Sequence, residues 1–196
     1  MNALEYPTGV PENEVRWGTI EPTEHIVHFY ADDPAFLDML EGFVAGGLIA
    51  GESVIVLASV SHMFALNARL EARRIDVRKA RRNDQYLDMN ADSFLATFMV
   101  DGRPDPQKFN EAVTALIDRA RASGRRVRAF GEMVAILWGK GNRDATVQLE
   151  LLWNQLREKI PFPLYCAYPK AGFTEGTQES LKEICAAHTK VISNRA

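Results

Sequence analysis

The feature that most constrains this chain is a near-continuous apolar run at residues 53–59, with the sequence SVIVLAS. A strand with apolar residues on both faces is typical of the centre of a parallel sheet that helices cover on both sides. Further short apolar runs at residues 25–30, 86–89, 127–130 and 164–168 alternate with helical patterns. This alternation predicts an α/β fold with a mainly parallel central sheet flanked by helices.

Helical patterns occupy the intervals between these runs. The clearest has apolar residues at positions 149, 152, 153, 156 and 160, which is the spacing of one helix face. A short run at residues 75–78 is predicted as an edge strand. The predicted helices are residues 33–50, 61–73, 92–99, 105–122, 144–159 and 178–191.

The length of 196 residues and the 46% share of hydrophobic residues suit one domain with a complete core. We predict this domain over residues 24–196, including the C-terminal helix. Residues 1–23 are polar and contain three prolines, so we predict a flexible or loosely docked arm there. The chain has no apolar run of membrane-spanning length and no pattern of a signal peptide. We therefore predict a cytoplasmic protein.

The cysteines and histidines show no spacing typical of a zinc site. Cys166 and Cys185 fall in apolar runs, and we expect two buried thiols rather than a disulfide. His25 and His28 lie three residues apart in a predicted strand, so their rings should point to opposite faces of the sheet. We predict no metal site and no cofactor.

The net charge is only −3, but the charges are unevenly distributed. Residues 1–41 carry nine acidic residues and one basic residue, whereas residues 69–82 carry seven basic residues and two acidic ones. The basic segment is either a nucleic-acid or partner surface, or a solvated helix end covered by the acidic arm. The acidic overall balance favours the second interpretation, and we expect no direct nucleic-acid binding. The candidate partner-binding residues are Arg73, Arg74, Arg81 and Arg82.

Polar and aromatic side chains follow several predicted strands. In an open parallel sheet ligands bind beyond the carboxyl ends of the strands, so one interpretation is a small-molecule pocket. The alternative is that strand ends are polar because loops begin there. The candidate ligand-binding residues are His25, His28, Tyr30, Asp32, Ser59, His62, Glu132, Trp138 and Tyr168.

Glu132 is the most informative single carboxylate, because it follows a predicted strand directly and precedes the apolar segment MVAILW. At the rim of the sheet it could anchor a ligand. Two structural alternatives remain open, in which Glu132 caps the following helix or pairs with an arginine.

The loop after the first predicted strand, with the sequence YADDPAF, lacks every feature of a phosphate-binding loop. Such a loop needs glycines and a lysine, whereas this one has neither and carries Asp32 and Asp33 where an anion would lie. No Gly-x-Ser-x-Gly or His-Glu-x-x-His motif occurs in the sequence. We therefore predict that the protein is not an enzyme.

Several motifs occur together and in order over residues 24–170: HIVHFY, GESVIVLAS, FMVDGRPD, FGEMVAILW, LELLWN and CAYP. In this combination the chain resembles the MEDS (methanogen/methylotroph sensory) domain family. The resemblance implies a degenerate RecA/KaiC-like three-layer sandwich and a role in sensing small hydrocarbon derivatives or related signals. It also implies a partner, either a histidine kinase or a transcriptional regulator, and the sequence leaves a homodimer open.

The most favoured function is thus a signal-sensing module that binds a small molecule, a signalling partner or both, without ATP hydrolysis. Two alternatives stay open. One is a protein with residual nucleotide binding, and the other is an interaction module without a ligand.

Overall fold

The computed structural model of the protein describes Tyr6, residues 9–18 and residues 20–193. Within this part of the chain, six strands form one sheet and two very short strands form an antiparallel hairpin. The strands are β1 (His25–Tyr30), β2 (Ser53–Ala58), β3 (Tyr86–Asn90), β4 (Met99–Val100), β5 (Arg103–Pro104), β6 (Val127–Gly131), β7 (Leu164–Pro169) and β8 (Lys190–Ser193).

Most helices begin at a side chain that accepts a hydrogen bond from a free backbone N–H of the first turn. Asp105 accepts from the backbone N–H of Lys108 at 2.9 Å, and Asn90 accepts from that of Ser93 at 2.8 Å. The helices are α1 (Asp33–Ile49), α2 (Val60–Ala72), α3 (Val77–Arg82), α4 (Ala91–Ala96), α5 (Pro106–Arg121), α6 (Met133–Gly139), α7 (Arg143–Lys159) and α8 (Gln178–Ala186).

All strands of the large sheet run parallel, in the order β3-β2-β6-β7-β1-β8. The inner strands β2, β6, β7 and β1 are buried almost throughout. This is expected where helices cover both faces of a sheet. The structure therefore confirms the predicted α/β fold with a parallel central sheet.

Two hydrophobic clusters, one on each face of the sheet, give the fold three layers. Helices α1, α2 and α3 pack on one face through side chains such as Phe43, Leu66 and Val77. Helices α4 to α8 pack on the other, where Phe109 and Trp153 lie near the centre of the cluster. Successive side chains of a strand point to opposite faces of the sheet. Neighbouring residues of each strand therefore belong to different clusters.

Two predicted elements are wrong. Residues 75–78 were expected as an edge strand, but α3 begins at Val77 and buries Val77 and Ala80, three positions apart, as a helix does. The predicted helix at residues 178–191 ends at Ala186. The residues that follow form β8, which pairs with β1 and adds an outer strand to the sheet.

The described part of the predicted arm contacts the domain. Val10 forms a parallel bridge with Ile192 of β8. The Trp17 ring lies against Phe43 and Tyr165, each with ring centroids 5.3 Å apart. The flexibility of residues 1–23 stays a prediction, and residues 1–5, 7, 8 and 19 lie outside the described residues.

Among the described residues, no helix combines the length and the apolar character that a membrane crossing requires. Both cysteines are free thiols, as expected; Cys166 is buried as predicted, whereas Cys185 is only half-buried.

Candidate functional site

A cluster of polar side chains lies at the carboxyl ends of neighbouring strands. Ser59 directly follows β2 and Glu132 directly follows β6, and these two strands pair with each other. Glu132 accepts a hydrogen bond from the backbone N–H of Ser59 at 2.8 Å, and its other oxygen lies 2.9 Å from Nδ1 of His62. Glu132 is the N-cap residue of α6, but among the described residues its side chain makes no capping hydrogen bond, and its ion pair is with a histidine rather than an arginine.

The first turn of α1 completes this arrangement from the other side. The carboxylate of Asp33 lies 3.8 Å from Nε2 of His62. The ring of Phe36 packs between Tyr30 and His62, with centroid distances of 4.8 Å to each. We call the set of Tyr30, Asp33, Phe36, Ser59, His62 and Glu132 the rim cluster.

The electrostatics of the rim cluster are set by its two carboxylates. The hydrogen bond with Glu132 raises the pKa of His62 above its usual value, although burial of the ring opposes this. Burial, together with the negative charges of Glu132 and Asp33, raises the pKa of the Tyr30 hydroxyl. Tyr30 therefore stays protonated at neutral pH, and His62 is easier to protonate than a free histidine.

The structure places the predicted Asp32 beside this cluster but gives it a different contact. Its side chain accepts a hydrogen bond from the backbone N–H of Ala35 at 2.9 Å and so caps α1. Asp33 and Phe36, which were not among the candidates, approach His62 instead. The sequence could have identified both residues from their position in the first helical turn after β1.

Trp138 of α6 and Tyr168 of β7, also predicted for the pocket, both belong to the hydrophobic cluster that α4 to α8 cover. The indole N–H of Trp138 donates to the carbonyl of Gly172 at 2.7 Å, and its ring stacks on Phe173. The hydroxyl of Tyr168 donates to Glu150 at 2.6 Å, inside the protein. Within the described part of the chain, neither side chain contacts a residue of the rim cluster.

His25 and His28 point to opposite faces of the sheet, as their spacing in a strand predicts. Nδ1 of His28 lies 2.8 Å from the Tyr165 hydroxyl, and its Nε2 lies 2.7 Å from Glu12. Burial lowers the pKa of His28, and the hydrogen bond with Glu12 partly offsets this.

His25 belongs to a second polar cluster, between the sheet and helices α7 and α8. Its members are each able to offer one ligand atom to a metal ion, and these atoms all lie within 4.8 Å of one another. We call His25, Glu150, Cys166 and His188 the buried cluster. Sequence reasoning missed it, since its members are scattered over 164 positions with no local motif.

The arginines proposed for a partner surface differ in what they contact. Arg73 pairs with a glutamate of α1, and Arg81 pairs with an aspartate of β3. Arg74 and Arg82 are exposed, and neither forms an ion pair with the residues that the structure describes. Partner binding stays a prediction, with Arg74 and Arg82 as the more available charges.

Fold and site together define a parallel three-layer α/β domain that carries a compact polar cluster at the carboxyl ends of its strands. Residues 24–189 match the family model of MEDS, the MEthanogen/methylotroph, DcmR Sensory domain. Because the match covers most of the chain, the protein belongs to this family of sensory domains. No curated protein matches the sequence significantly.

Proposed function

We propose that the protein is a signal-sensing regulatory module that binds a small molecule at the rim cluster and reports to a signalling protein. The observation that carries this proposal is the contact of Glu132 with both Ser59 and His62. This contact lies where open α/β sheets bind their ligands. Membership of a sensory-domain family supports the signalling role.

The side chains of the rim cluster favour a ligand of restricted chemistry. Asp33 and Glu132 place negative charge at the site, which would repel an anion. The hydroxyls of Tyr30 and Ser59 can each donate or accept a hydrogen bond, and Phe36 supplies an apolar surface. We therefore propose a small uncharged or cationic molecule with hydroxyl or amine groups.

We also propose that the protein does not hydrolyse ATP. The backbone N–H of Ala35, at the start of α1, is occupied by the carboxylate of Asp32. A bound phosphate would need such free N–H groups and a glycine-rich loop. A degenerate RecA/KaiC-like ancestry is a proposal that fits these features and the parallel sheet.

The partner surface that we propose combines exposed charge with exposed apolar side chains on neighbouring helices. On α2, Val60 and Phe64 lie one turn apart and are 67% and 77% exposed. Arg74 precedes the following helix α3, and Arg82 is the last residue of that helix. We propose three candidate partners to test, each in the cytoplasm: a histidine kinase, a transcriptional regulator or a second copy of the chain.

Glu132→Gln is expected to weaken the response to the ligand without unfolding the domain. The amide keeps the shape of the carboxylate but loses the charge-assisted hydrogen bond with His62. Thermal shift against a panel of short alcohols, diols and amines would identify a ligand through its linkage to folding. We expect the variant to bind at least about tenfold more weakly, since a hydrogen bond from the ligand to a charged carboxylate contributes about 1.5–3 kcal/mol.

Glu111→Gln is the matched control, because Glu111 is an exposed glutamate of α5 whose hydrogen bond joins it to Gln107 on the same helix. It should respond like the unmodified protein, and circular dichroism should be unchanged in both variants. No response to any compound, or equal responses in both variants, would contradict the proposal. Micromolar binding of ATP with magnesium would favour residual nucleotide binding instead.

A further inference from the structure

We propose that the buried cluster is a binding site for one zinc ion, with His25, Glu150, Cys166 and His188 as its four ligands. Each ligand comes from a different part of the fold: β1, α7, β7 and the segment between α8 and β8. A bound ion would therefore join the C-terminal segment to the centre of the sheet. This site is separate from the rim cluster and does not depend on the function proposed for it.

Four of the six distances within the buried cluster match those of a tetrahedral site, and all six are within 4.8 Å. Bonds of about 2.0–2.3 Å place the ligand atoms of a tetrahedral zinc ion roughly 3.3–3.8 Å apart. Oε2 of Glu150 lies 3.5 Å from Nε2 of His25, 3.5 Å from Nε2 of His188 and 3.8 Å from Sγ of Cys166. Sγ of Cys166 lies 3.6 Å from Nε2 of His25. Four ligand–ligand distances thus fall within the expected range.

Hydrogen bonds outside the cluster fix which ring nitrogen faces inward. Nδ1 of His25 lies 2.9 Å from the side-chain oxygen of Asn154 and 3.1 Å from the carbonyl of Ala187. Nδ1 of His188 lies 2.6 Å from the carbonyl of Ile184. Since all three partners accept, both Nδ1 atoms carry the hydrogen and both Nε2 atoms present a lone pair to the cluster. Histidines that bind a metal are oriented in the same way.

The carboxylate of Glu150 is oriented by a similar contact. Its Oε1 accepts a hydrogen bond from the hydroxyl of Tyr168 at 2.6 Å, which leaves Oε2 facing the other three groups. Two imidazole Nε2 atoms that carry lone pairs and a carboxylate oxygen therefore lie close together. Lone pairs that converge repel one another unless a proton or a cation lies between them.

One nitrogen of the cluster has no hydrogen-bond partner among the described residues. This atom is the buried Nε2 of His188, whose side chain is 0% exposed. A buried nitrogen without a partner costs about 1–3 kcal/mol in general. A metal ion would use this lone pair and those of the other three groups at once.

Burial favours the uncharged forms of all four side chains in the cluster. Burial lowers the pKa of His25 and His188, so that both rings are neutral and able to coordinate. Burial raises the pKa of Glu150 to about 7 and raises that of the Cys166 thiol. A zinc ion would hold both acids in their charged forms, and their two negative charges would neutralise it. The nearby Arg157 adds a positive charge that opposes metal binding in part.

A cavity borders the buried cluster. A cavity of about 350 Å³ lies between α7 and α8, and its lining includes Glu150, Asn154 and Ala187. Two of these residues contact His25 directly and the third is a proposed ligand. An ion in this cavity would therefore lie next to the residues that surround the site.

Zinc binding to the metal-stripped full-length protein tests the proposal directly. We expect one equivalent of zinc by titration and by elemental analysis. At a free zinc concentration of about 100 Kd, the Tm should rise by roughly 5–10 °C. No binding at one equivalent, or no change in the Tm, would overturn the proposal and leave a hydrogen-bonded cluster without metal.

Paired cysteine variants assign the site to this cluster. Cys166→Ser should weaken zinc binding by more than about 100-fold, since loss of an outer-shell partner alone costs about 10–100-fold. Cys185→Ser should bind zinc normally, because Cys185 is not a member of the cluster. Equal binding in the two variants would overturn the assignment.

Cobalt provides a readout that does not depend on the folding of Cys166→Ser. In the Cys185→Ser protein, Cys166 is the sole cysteine of the chain. Substitution with Co²⁺ should then give thiolate-to-cobalt charge-transfer absorption and the strong visible bands of a tetrahedral ion. Tetrahedral bands without the charge-transfer absorption, or the weak bands of an octahedral ion, would contradict the proposed ligand set.

Discussion

At the residue scale, the rim cluster shows how the position of a side chain selects its role. Asp32 and Asp33 are neighbours in sequence, but one caps α1 and the other approaches His62. The difference arises because the capping residue precedes the helix and turns its side chain back to the first free N–H groups. Glu132 occupies the capping position of α6 without using it, and its two oxygens contact Ser59 and His62 instead.

We expect the contribution of His62 to stability to decline as the pH rises. Its pKa is raised in the folded protein, chiefly by the hydrogen bond with Glu132. The folded state thus binds the proton more tightly than the unfolded chain, whose histidine has a pKa of about 6.5. The stabilisation is complete below that pKa and is lost as the pH rises through the folded-state value. The difference in unfolding free energy between the unmodified protein and His62→Gln, measured in urea, should shrink over this range.

A titration of the His62 ring by NMR in the Glu132→Gln variant is the companion measurement. Without the carboxylate, the pKa of His62 should fall below its value in the unmodified protein, because burial then acts with less opposition. A stability difference that stays constant with pH, or a His62 pKa that does not respond to Glu132→Gln, would show that the contact is absent in solution.

At the scale of elements, the packing of α1 on the sheet depends on one small residue. A Cβ atom on Gly47 would lie 2.7 Å from the side chain of Val54 and 2.8 Å from that of Arg128. Arg128 is fully buried, pairs with Glu52 and donates to the carbonyl of Phe43 at 3.0 Å. The glycine lets the helix backbone approach close enough for these contacts.

Gly47→Ala is therefore expected to lower the unfolding free energy by about 1–2 kcal/mol. Overpacking of a core costs about 1–3 kcal/mol, and the better helix propensity of alanine returns up to about 1 kcal/mol. Urea unfolding would measure the change. Gly139→Ala is the matched control, because Gly139 is also helical but has open space around it. Equal stability of the two variants would contradict the close approach of α1 to Arg128.

At the scale of the whole molecule, the segment before β1 links several layers of the fold. Its Val10 adds a bridge to the edge strand β8, and the ring of Trp17 packs on α1 and on β7. The carbonyl of Trp17 also accepts a hydrogen bond from the buried Arg128 at 3.0 Å. We infer that this segment contributes to the stability of the domain.

Trp17→Ala should lower the unfolding free energy by about 2–3 kcal/mol, less than the roughly 3–5 kcal/mol for a fully buried tryptophan, since Trp17 is only partly buried. Urea unfolding followed by circular dichroism is the measurement. Arg16→Ala serves as the control, because Arg16 is exposed and, within the part of the chain that the structure describes, its side chain donates to two nearby carbonyls. A Trp17→Ala protein as stable as the control would support an arm that is only loosely docked.

The sequence alone determined the alternation of strands and helices, the covered inner strands and the absence of a phosphate-binding loop. These properties depend on local patterns, since burial on both faces of a strand needs a run such as SVIVLAS and a phosphate needs glycines in one short loop. The sequence also placed Glu132 at the rim of the sheet, because the end of a strand can be read from the chain.

Only the tertiary structure decided which distant residues meet. Strand order places the first strand of the sheet between β7 and β8, so that His25 lies near Cys166 and His188. Nothing in the local sequence encodes that order, because crossover connections set which parallel strands become neighbours. The buried cluster, and the sites of Tyr168 and Trp138 away from the rim, follow from this arrangement of strands and helices.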